Sequence, residues 1–157
     1  LLGWLGEQSG PLLTALAKAN DVHLRLFAIE AASQAFGQAH LHGYRPRALY
    51  PLIAAVPALL DDPDDEVRQA AVASSSWMHS NTQFIEYRTQ DQSDHHIIRL
   101  YRKIVSMLDD PSAKVRAATA AALGDWAANL ARQALEQRLA QEDDASVRDA
   151  LNKALEG

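Results

Sequence analysis

The sequence repeats one stretch, Leu59-Leu60-Asp61-Asp62-Pro63-Asp64-Asp65-Glu66-Val67-Arg68-Gln69-Ala70-Ala71, along its length. A close copy runs from Met107 to Ala118, a looser one from Ala140 to Ala150, and the faintest from Ala19 to Ala28. Each copy has the pattern of a helix end, an acidic turn and the start of a second helix. A recurring helix–turn–helix unit predicts a stacked repeat architecture.

The second helix of each copy carries small residues on one side. Three, four, seven and eight positions after the first apolar residue of that helix, the side chains are almost all Ala, Leu, Ser or Thr; the first residues are Leu24, Val67, Val115 and Val147. Small residues at these spacings let two helices approach closely. A single hairpin cannot bury both of its faces, so several must stack to form one core. No stretch alternates at period two, and the chain is predicted to be all-α.

The copies divide the chain into helix pairs. We predict one repeat domain over residues 1–157, with pairs at 11–40, 46–79, 94–124 and 126–156 and an insertion at 80–93. The glycine after the third pair, Gly124, is interpreted as a helix C-cap. The first residues lack an initiator Met and read as the tail of an earlier helix, which predicts a partial N-terminal helix and a fragment of a longer chain.

Two local patterns predict how second helices pack. In the first pair, one stripe is expected to face the core and to fade near Gly37; its members are Leu24, Phe27, Ala28, Ala31, Ala32 and Ala35. In the second pair, Ser74 and Ser75 stand where other copies have Ala or Leu. Their hydroxyls can bond to carbonyls one turn earlier, so their burial is expected to be tolerated.

Composition and charge exclude several classes of protein. The 157 residues are 48% hydrophobic and 22% charged, with no apolar run long enough for a membrane span. The absence of cysteine excludes disulfides, thiolate metal sites and a cysteine nucleophile, and it fits a cytoplasmic protein. The net charge of -5 disfavours nucleic acid as the main partner, because phosphate binding needs concentrated positive charge.

The turn motifs resemble HEAT repeats, of the short bacterial type also found in phycobilisome lyases. The resemblance is carried by Asp62-Pro63 with Val67-Arg68-Gln69-Ala70-Ala71, and by Asp110-Pro111 with Val115-Arg116-Ala117-Ala118 and the following Ala122-Leu123-Gly124. It covers roughly residues 11–157. It implies a right-handed α-α superhelix, a HEAT-like solenoid of about four helix pairs plus the partial N-terminal helix.

The same resemblance implies a structural ladder between neighbouring repeats, made by acidic turn residues and arginines. Its members would be Asp62, Arg68, Asp110, Arg116, Glu142 and Arg148. The first repeat departs from the pattern, because Ala19 stands at the acidic position.

No metal site, cofactor or catalytic residue is expected. The acidic run at residues 61–66 lacks the length, central Gly and closing Glu of an EF-hand, and helix capping explains it better. The adjacent His95 and His96 would point about 100° apart on a helix, which is a poor chelate. HEAT-fold di-iron hydroxylases use repeated His-Glu dipeptides, and this sequence has none.

The function that the resemblance favours is a non-catalytic scaffold. It would bind another protein or a peptide through the concave surface of its second helices, with candidate contacts at Trp77, Met78, Tyr87, Trp126 and Arg132. The insertion, followed by a basic face of Arg99, Arg102 and Lys103, is a further candidate for partner binding. The alternative is a HEAT-fold enzyme or nucleic-acid-binding protein, chromophore-lyase-like or DNA-glycosylase-like.

Overall fold

The structure is a computed structural model that describes residues 10–41, 58–75 and 93–156, without the side chains of 36–41, 93–98 and 126–130. All regular secondary structure within these ranges is helical, so the predicted all-α repeat fold is confirmed. The chain divides into two compact units, residues 1–77 and 78–157, which are described in turn.

The first unit contains α1 at residues 10–16, α2 at Val22–Leu41 and α3 at Asp65–Ala73. An aspartate caps each of the two later helices, because its carboxylate accepts N–H groups of the first turn. Asp21 Oδ1 accepts from the backbone of His23 at 2.8 Å, and Asp64 Oδ1 accepts from that of Glu66 at 2.9 Å. The described apolar side chains in the core of this unit are Leu13, Ala17, Ala28, Ile29, Ala32, Leu59, Leu60, Val67, Ala71 and Val72.

The second unit contains α4 at Ser93–Ser106, a 3-10 turn at Met107–Asp109, α5 at Ala113–Leu139 and α6 at Ala145–Glu156. Asp144 caps α6 by accepting the backbone N–H of Ser146 at 2.9 Å and that of Val147 at 3.2 Å. Apolar side chains from all three helices and the turn share one core, which includes Ile104, Met107, Leu108, Val115, Leu123, Leu135, Val147 and Leu151.

The expected helix end at Gly124 is wrong, because α5 continues through it. A glycine inside a helix costs about 0.5–1 kcal/mol relative to alanine, so its presence needs another reason. A Cβ atom on Gly124 would lie 2.9 Å from Ala154 Cβ and 3.0 Å from Ala154 Cα. Gly124 therefore lets α6 pack closely against α5. Because α5 is continuous, the first helix of the fourth predicted pair is the C-terminal half of α5.

The expected core stripe of α2 is correct only in part. Ala28 and Ala32 are buried together with Ile29, whereas Leu24 is 42% exposed and Phe27 is 56% exposed. The small side chains, which let α2 approach α3 closely, therefore face the core in place of the Leu24–Phe27 side. The helix also runs past Gly37 to Leu41, since one glycine weakens a helix without ending it.

The two serines at the end of α3 are buried, and their hydroxyls are satisfied locally. Ser74 Oγ donates to the carbonyl of Ala71 at 2.8 Å, and Ser75 Oγ donates to that of Val72 at 2.5 Å. Both bonds run back to the preceding turn, so the expected back-bonding is confirmed.

Candidate functional site

The arginine near the start of each second helix folds back onto the turn before it. In all four copies Nη1 donates to the carbonyl oxygen six residues earlier, at 2.8–2.9 Å: Arg25 to Ala19, Arg68 to Asp62, Arg116 to Asp110 and Arg148 to Glu142. The acceptor is a backbone atom, so this bond does not depend on the side chain at that position. Alanine at position 19 therefore leaves the bond of Arg25 intact.

The acidic side chain of each turn stabilises the turn itself. Each accepts the backbone N–H two residues further on, which fixes the turn: Asp62 from Asp64 at 3.0 Å, Asp110 from Ser112 at 2.8 Å and Glu142 from Asp144 at 3.0 Å. A carboxylate has several lone pairs, so each acid can also accept from a guanidinium.

In the first unit, the turn before α3 is joined to α2 by Arg25 and Asp62. Arg25 Nη2 donates to Asp62 Oδ1 at 2.9 Å, and Arg25 Nε lies 2.7 Å from Asp62 Oδ2. Both side chains are largely buried. The resemblance left Arg25 out of the ladder because its own turn lacks an acid, but the structure pairs it with the acid of the following turn.

In the second unit, Glu142 accepts from two arginines. Arg116 binds it through both oxygens, with Nε 2.8 Å from Oε2 and Nη2 2.9 Å from Oε1. Arg138 adds two bonds to Oε2, at 2.9 Å from Nε and 2.8 Å from Nη2, and its Nη1 contacts Asp109 at 3.1 Å. Sequence reasoning missed Arg138, which lies in the last turn of α5, four residues before Glu142.

These contacts shift the pKa of Glu142. Hydrogen bonds from Arg116, then from the Asp144 backbone and from Arg138, lower the pKa of the Glu142 carboxyl to about 2 against the opposing effect of burial. The hydrogen bond to Glu142 likewise raises the pKa of Arg116. The pair therefore stays charged across the physiological range, as a structural joint requires.

A groove of about 360 Å³ opens between α4 and the C-terminal half of α5. Tyr101 and Val105 line it from α4 and Ala134 from α5, all half-buried, and exposed polar side chains surround them: Arg102, Gln133 and Gln137. The Tyr101 hydroxyl, like any tyrosine, is protonated at neutral pH and can donate a hydrogen bond; burial raises its pKa further.

The family model of the HEAT repeat matches residues 100–130. These residues form a HEAT repeat. The match takes in the later part of α4, the turn and the first part of α5, so Arg116 and the turn residue Asp110 belong to it. HEAT repeats typically mediate protein interactions. No curated protein matches the chain.

Of the five predicted partner-binding residues, the structure describes the side-chain contacts of Arg132. Arg132, in α5, donates to the carbonyl of Leu155 at 3.2 Å and lies 3.9 Å from Glu136, so it caps the end of α6. Only the helical backbone of Trp126 is described. The remaining candidates lie outside the described residues: Trp77, Met78 and Tyr87.

The predicted ladder residues outside the two joints take part in the turns. Arg68 and Asp110 make the turn bonds given above, and Arg148 also reaches the carbonyl of Leu139 at 3.4 Å. Among the residues that the structure describes, no three His, Cys, Asp or Glu side chains are grouped to hold a metal ion. No described helix has the length and apolar content needed to cross a membrane.

Proposed function

We propose that this chain is a non-catalytic helical-repeat scaffold that binds another protein or a peptide through the surface of its second helices. The main support is the pair of buried joints, Arg25 with Asp62 and Arg116 with Glu142, which fix a second helix to the turn that follows it. A surface ordered by such joints loses little conformational entropy on binding, which favours recognition by a rigid framework.

The second helix of the HEAT repeat offers a surface that a partner can approach closely. Ala121 and Asp125 are exposed on α5, and Ala117 and Ala118 are half-buried. Small side chains allow a partner backbone to come near, and a neighbouring tryptophan such as Trp126 is the kind of residue that dominates binding energy. The proposed contacts are Trp77, Met78, Tyr87, Trp126 and Arg132, the last in addition to its capping bond.

The carboxyl groups with lowered pKa support a structural role over a catalytic one. Glu142 is held by two arginines, and the pKa of Asp144 is lowered by hydrogen bonds from the Ser146 hydroxyl and from the first N–H groups of α6. Each group is engaged within the fold, so neither is placed to take a proton from a substrate.

The proposal is tested by selecting ligands from a displayed library of random short peptides with the whole chain as bait. Selected peptides are expected to bind at least about tenfold more weakly to the Ala121→Arg and Trp126→Ala variants. The matched control is Ala15→Arg, which places the same side chain at an exposed position of α1. Failure to select any peptide, or peptides whose affinity is the same for all variants, would contradict the proposal.

A further inference from the structure

The groove lies between α4 and the C-terminal half of α5, whereas the exposed small residues of the proposed second-helix surface lie in the N-terminal half of α5. Its one wall is α4, the first helix of the HEAT repeat, and its other wall is the part of α5 that serves as the first helix of the next pair. Tyr101 and Val105 are four residues apart on α4, as Gln133 and Gln137 are on α5, so each wall presents one helix face. The groove is therefore a separate candidate surface.

The charge of this groove is positive although the chain carries a net charge of -5. Among the six lining residues Arg102 alone is charged, and Arg99 lies one turn earlier on the same side of α4. Both arginines are exposed, and neither guanidinium forms an ion pair within the described part of the chain. The nearby acid of α5, Glu136, is not a lining residue and lies 3.9 Å from Arg132.

The surroundings of Arg102 are different from those of the ladder arginines. Arg25 and Arg116 are each neutralised by a buried carboxylate of the following turn. No lining residue offers Arg102 a carboxylate, so this part of the groove complements an anionic group supplied from outside. An arginine binds a carboxylate through two parallel hydrogen bonds, which gives direction as well as charge.

The other lining residues fit a peptide better than a nucleic acid. Half-buried Tyr101, Val105 and Ala134 form an apolar floor that can receive an aliphatic or aromatic side chain. The amides of Gln133 and Gln137 both donate and accept hydrogen bonds, as a peptide backbone does. Binding of nucleic acid needs a longer positive surface that follows the phosphates.

We propose that the groove between α4 and the C-terminal half of α5 binds an acidic peptide segment of a partner protein. A carboxylate of the segment pairs with Arg102, and a neighbouring apolar side chain packs on Tyr101, Val105 and Ala134. The volume of about 360 Å³ is near the lower end of ligand pockets, so the groove takes a short anchor. This inference rests on the proposed scaffold function and adds a second surface to it.

The test uses the whole chain and the same displayed library of random short peptides. We expect a class of selected peptides that carries Asp or Glu beside an apolar residue. Their affinity should fall at least about tenfold with Arg102→Glu and with Ala134→Glu. The control Lys18→Glu makes an identical change of charge on an exposed lysine of the first unit, and it should leave binding unchanged.

A charge swap separates direct pairing from a general effect of charge. Replacing the peptide carboxylate by lysine should weaken binding to the wild-type chain and restore at least about tenfold in affinity towards the Arg102→Glu variant. Unfolding midpoints of all variants are measured in urea. Affinities are compared only among variants that keep the wild-type midpoint, because a change in their binding is not caused by unfolding.

The possible results distinguish the two proposals. Peptides that respond to Ala121→Arg but not to Arg102→Glu or Ala134→Glu would overturn the groove and leave the scaffold function standing. Failure to select any peptide would overturn both. Binding of a short duplex DNA that depends on Arg102 and weakens steeply between about 50 and about 200 mM salt would overturn the acidic peptide in favour of nucleic acid.

Discussion

Asp62 and Glu142 occupy the same position in two copies of the repeat, but the two acids are held to different extents. Asp62 accepts from one arginine, Arg25, and Glu142 accepts from both Arg116 and Arg138. Each acid also fixes its own turn through a backbone N–H. The shared part of the joint is therefore an arginine from the preceding second helix, and among the described residues a second arginine is found only at Glu142.

The two joints show which acid and which arginine of the repeated motif connect one copy to the next. In both joints the arginine also bonds to a backbone carbonyl of its own turn, Arg25 to Ala19 and Arg116 to Asp110. Arg25 and Arg116 each reach forward to the acid of the next turn, and Arg25 does so although its own turn has Ala19. Asp62 and Glu142 thus each bind the arginine of the copy before them.

The largest effect is expected for Glu142→Ala. This change leaves Arg116 and Arg138 without their shared carboxylate in a largely buried setting, which typically costs about 3–5 kcal/mol of unfolding free energy. Urea unfolding followed by circular dichroism measures the change.

Asp62→Ala is the control for that comparison, because it removes a carboxylate bound by one arginine. Its expected cost is about 2 kcal/mol, as for a hydrogen bond to a charged group. Equal costs for the two substitutions would show that Arg138 adds nothing to the joint.

Acid should weaken the second joint in a defined range of pH. The pKa of Glu142 falls from an ordinary 4.5 to about 2 in the folded chain, so the unfolded chain binds its proton first as the pH drops. The contribution of Glu142 is therefore complete above pH 4.5 and lost as the pH falls towards 2. Urea midpoints measured across this range should fall more steeply for the wild type than for Glu142→Gln, and parallel curves would contradict the assignment.

Gly124→Ala should destabilise the second unit by about 1–3 kcal/mol through overpacking, although alanine is the better helix former. The new Cβ would meet Ala154 Cβ at 2.9 Å. Gly124 lies eight positions after Arg116, and the residue eight positions after Arg25 in the first unit is Ser33. The Ser33 hydroxyl donates to the carbonyl of Ile29 at 2.9 Å. Adding Ala154→Gly should restore part of the loss, and an increase in the midpoint with Gly124→Ala alone would refute the close approach.

Ala19→Asp should have the smallest effect, within about 0.5 kcal/mol. The bond of Arg25 to this turn goes to the carbonyl of Ala19, which any residue supplies, and the carboxylate partner of Arg25 is Asp62. The measurement is again the urea midpoint. A stabilisation of more than about 1 kcal/mol would mean that an acid in the same turn strengthens the joint.

The repeated turn motif was sufficient to predict the all-α repeat fold, because its capping aspartates and apolar spacing are local properties. The continuity of α5 was not predictable, since the reason for Gly124 is its contact with Ala154, thirty positions away in sequence. The pairing of Arg25 with Asp62 was missed for the same reason: the pattern showed an arginine in every copy and an acid in three of them, but not which copies pair.

The sequence indicated only one wall of the groove. The basic side of α4, with Arg99, Arg102 and Lys103, was visible in the sequence. Its opposite wall, with Gln133 and Gln137, was not, because two polar residues on an amphipathic helix carry no pattern of their own. Only the packing of α4 against α5 brings these side chains to one place.

A double-mutant cycle between Arg25 and Asp62 tests the central claim most directly. Arg25→Met removes the guanidinium, and Asp62→Asn keeps a carbonyl oxygen that can accept the N–H of Asp64. If the arginine of one helix pair is joined to the acid of the next turn, the free energies of unfolding should show a coupling of about 1–3 kcal/mol. Additive effects of the two substitutions, within about 0.5 kcal/mol, would contradict the account.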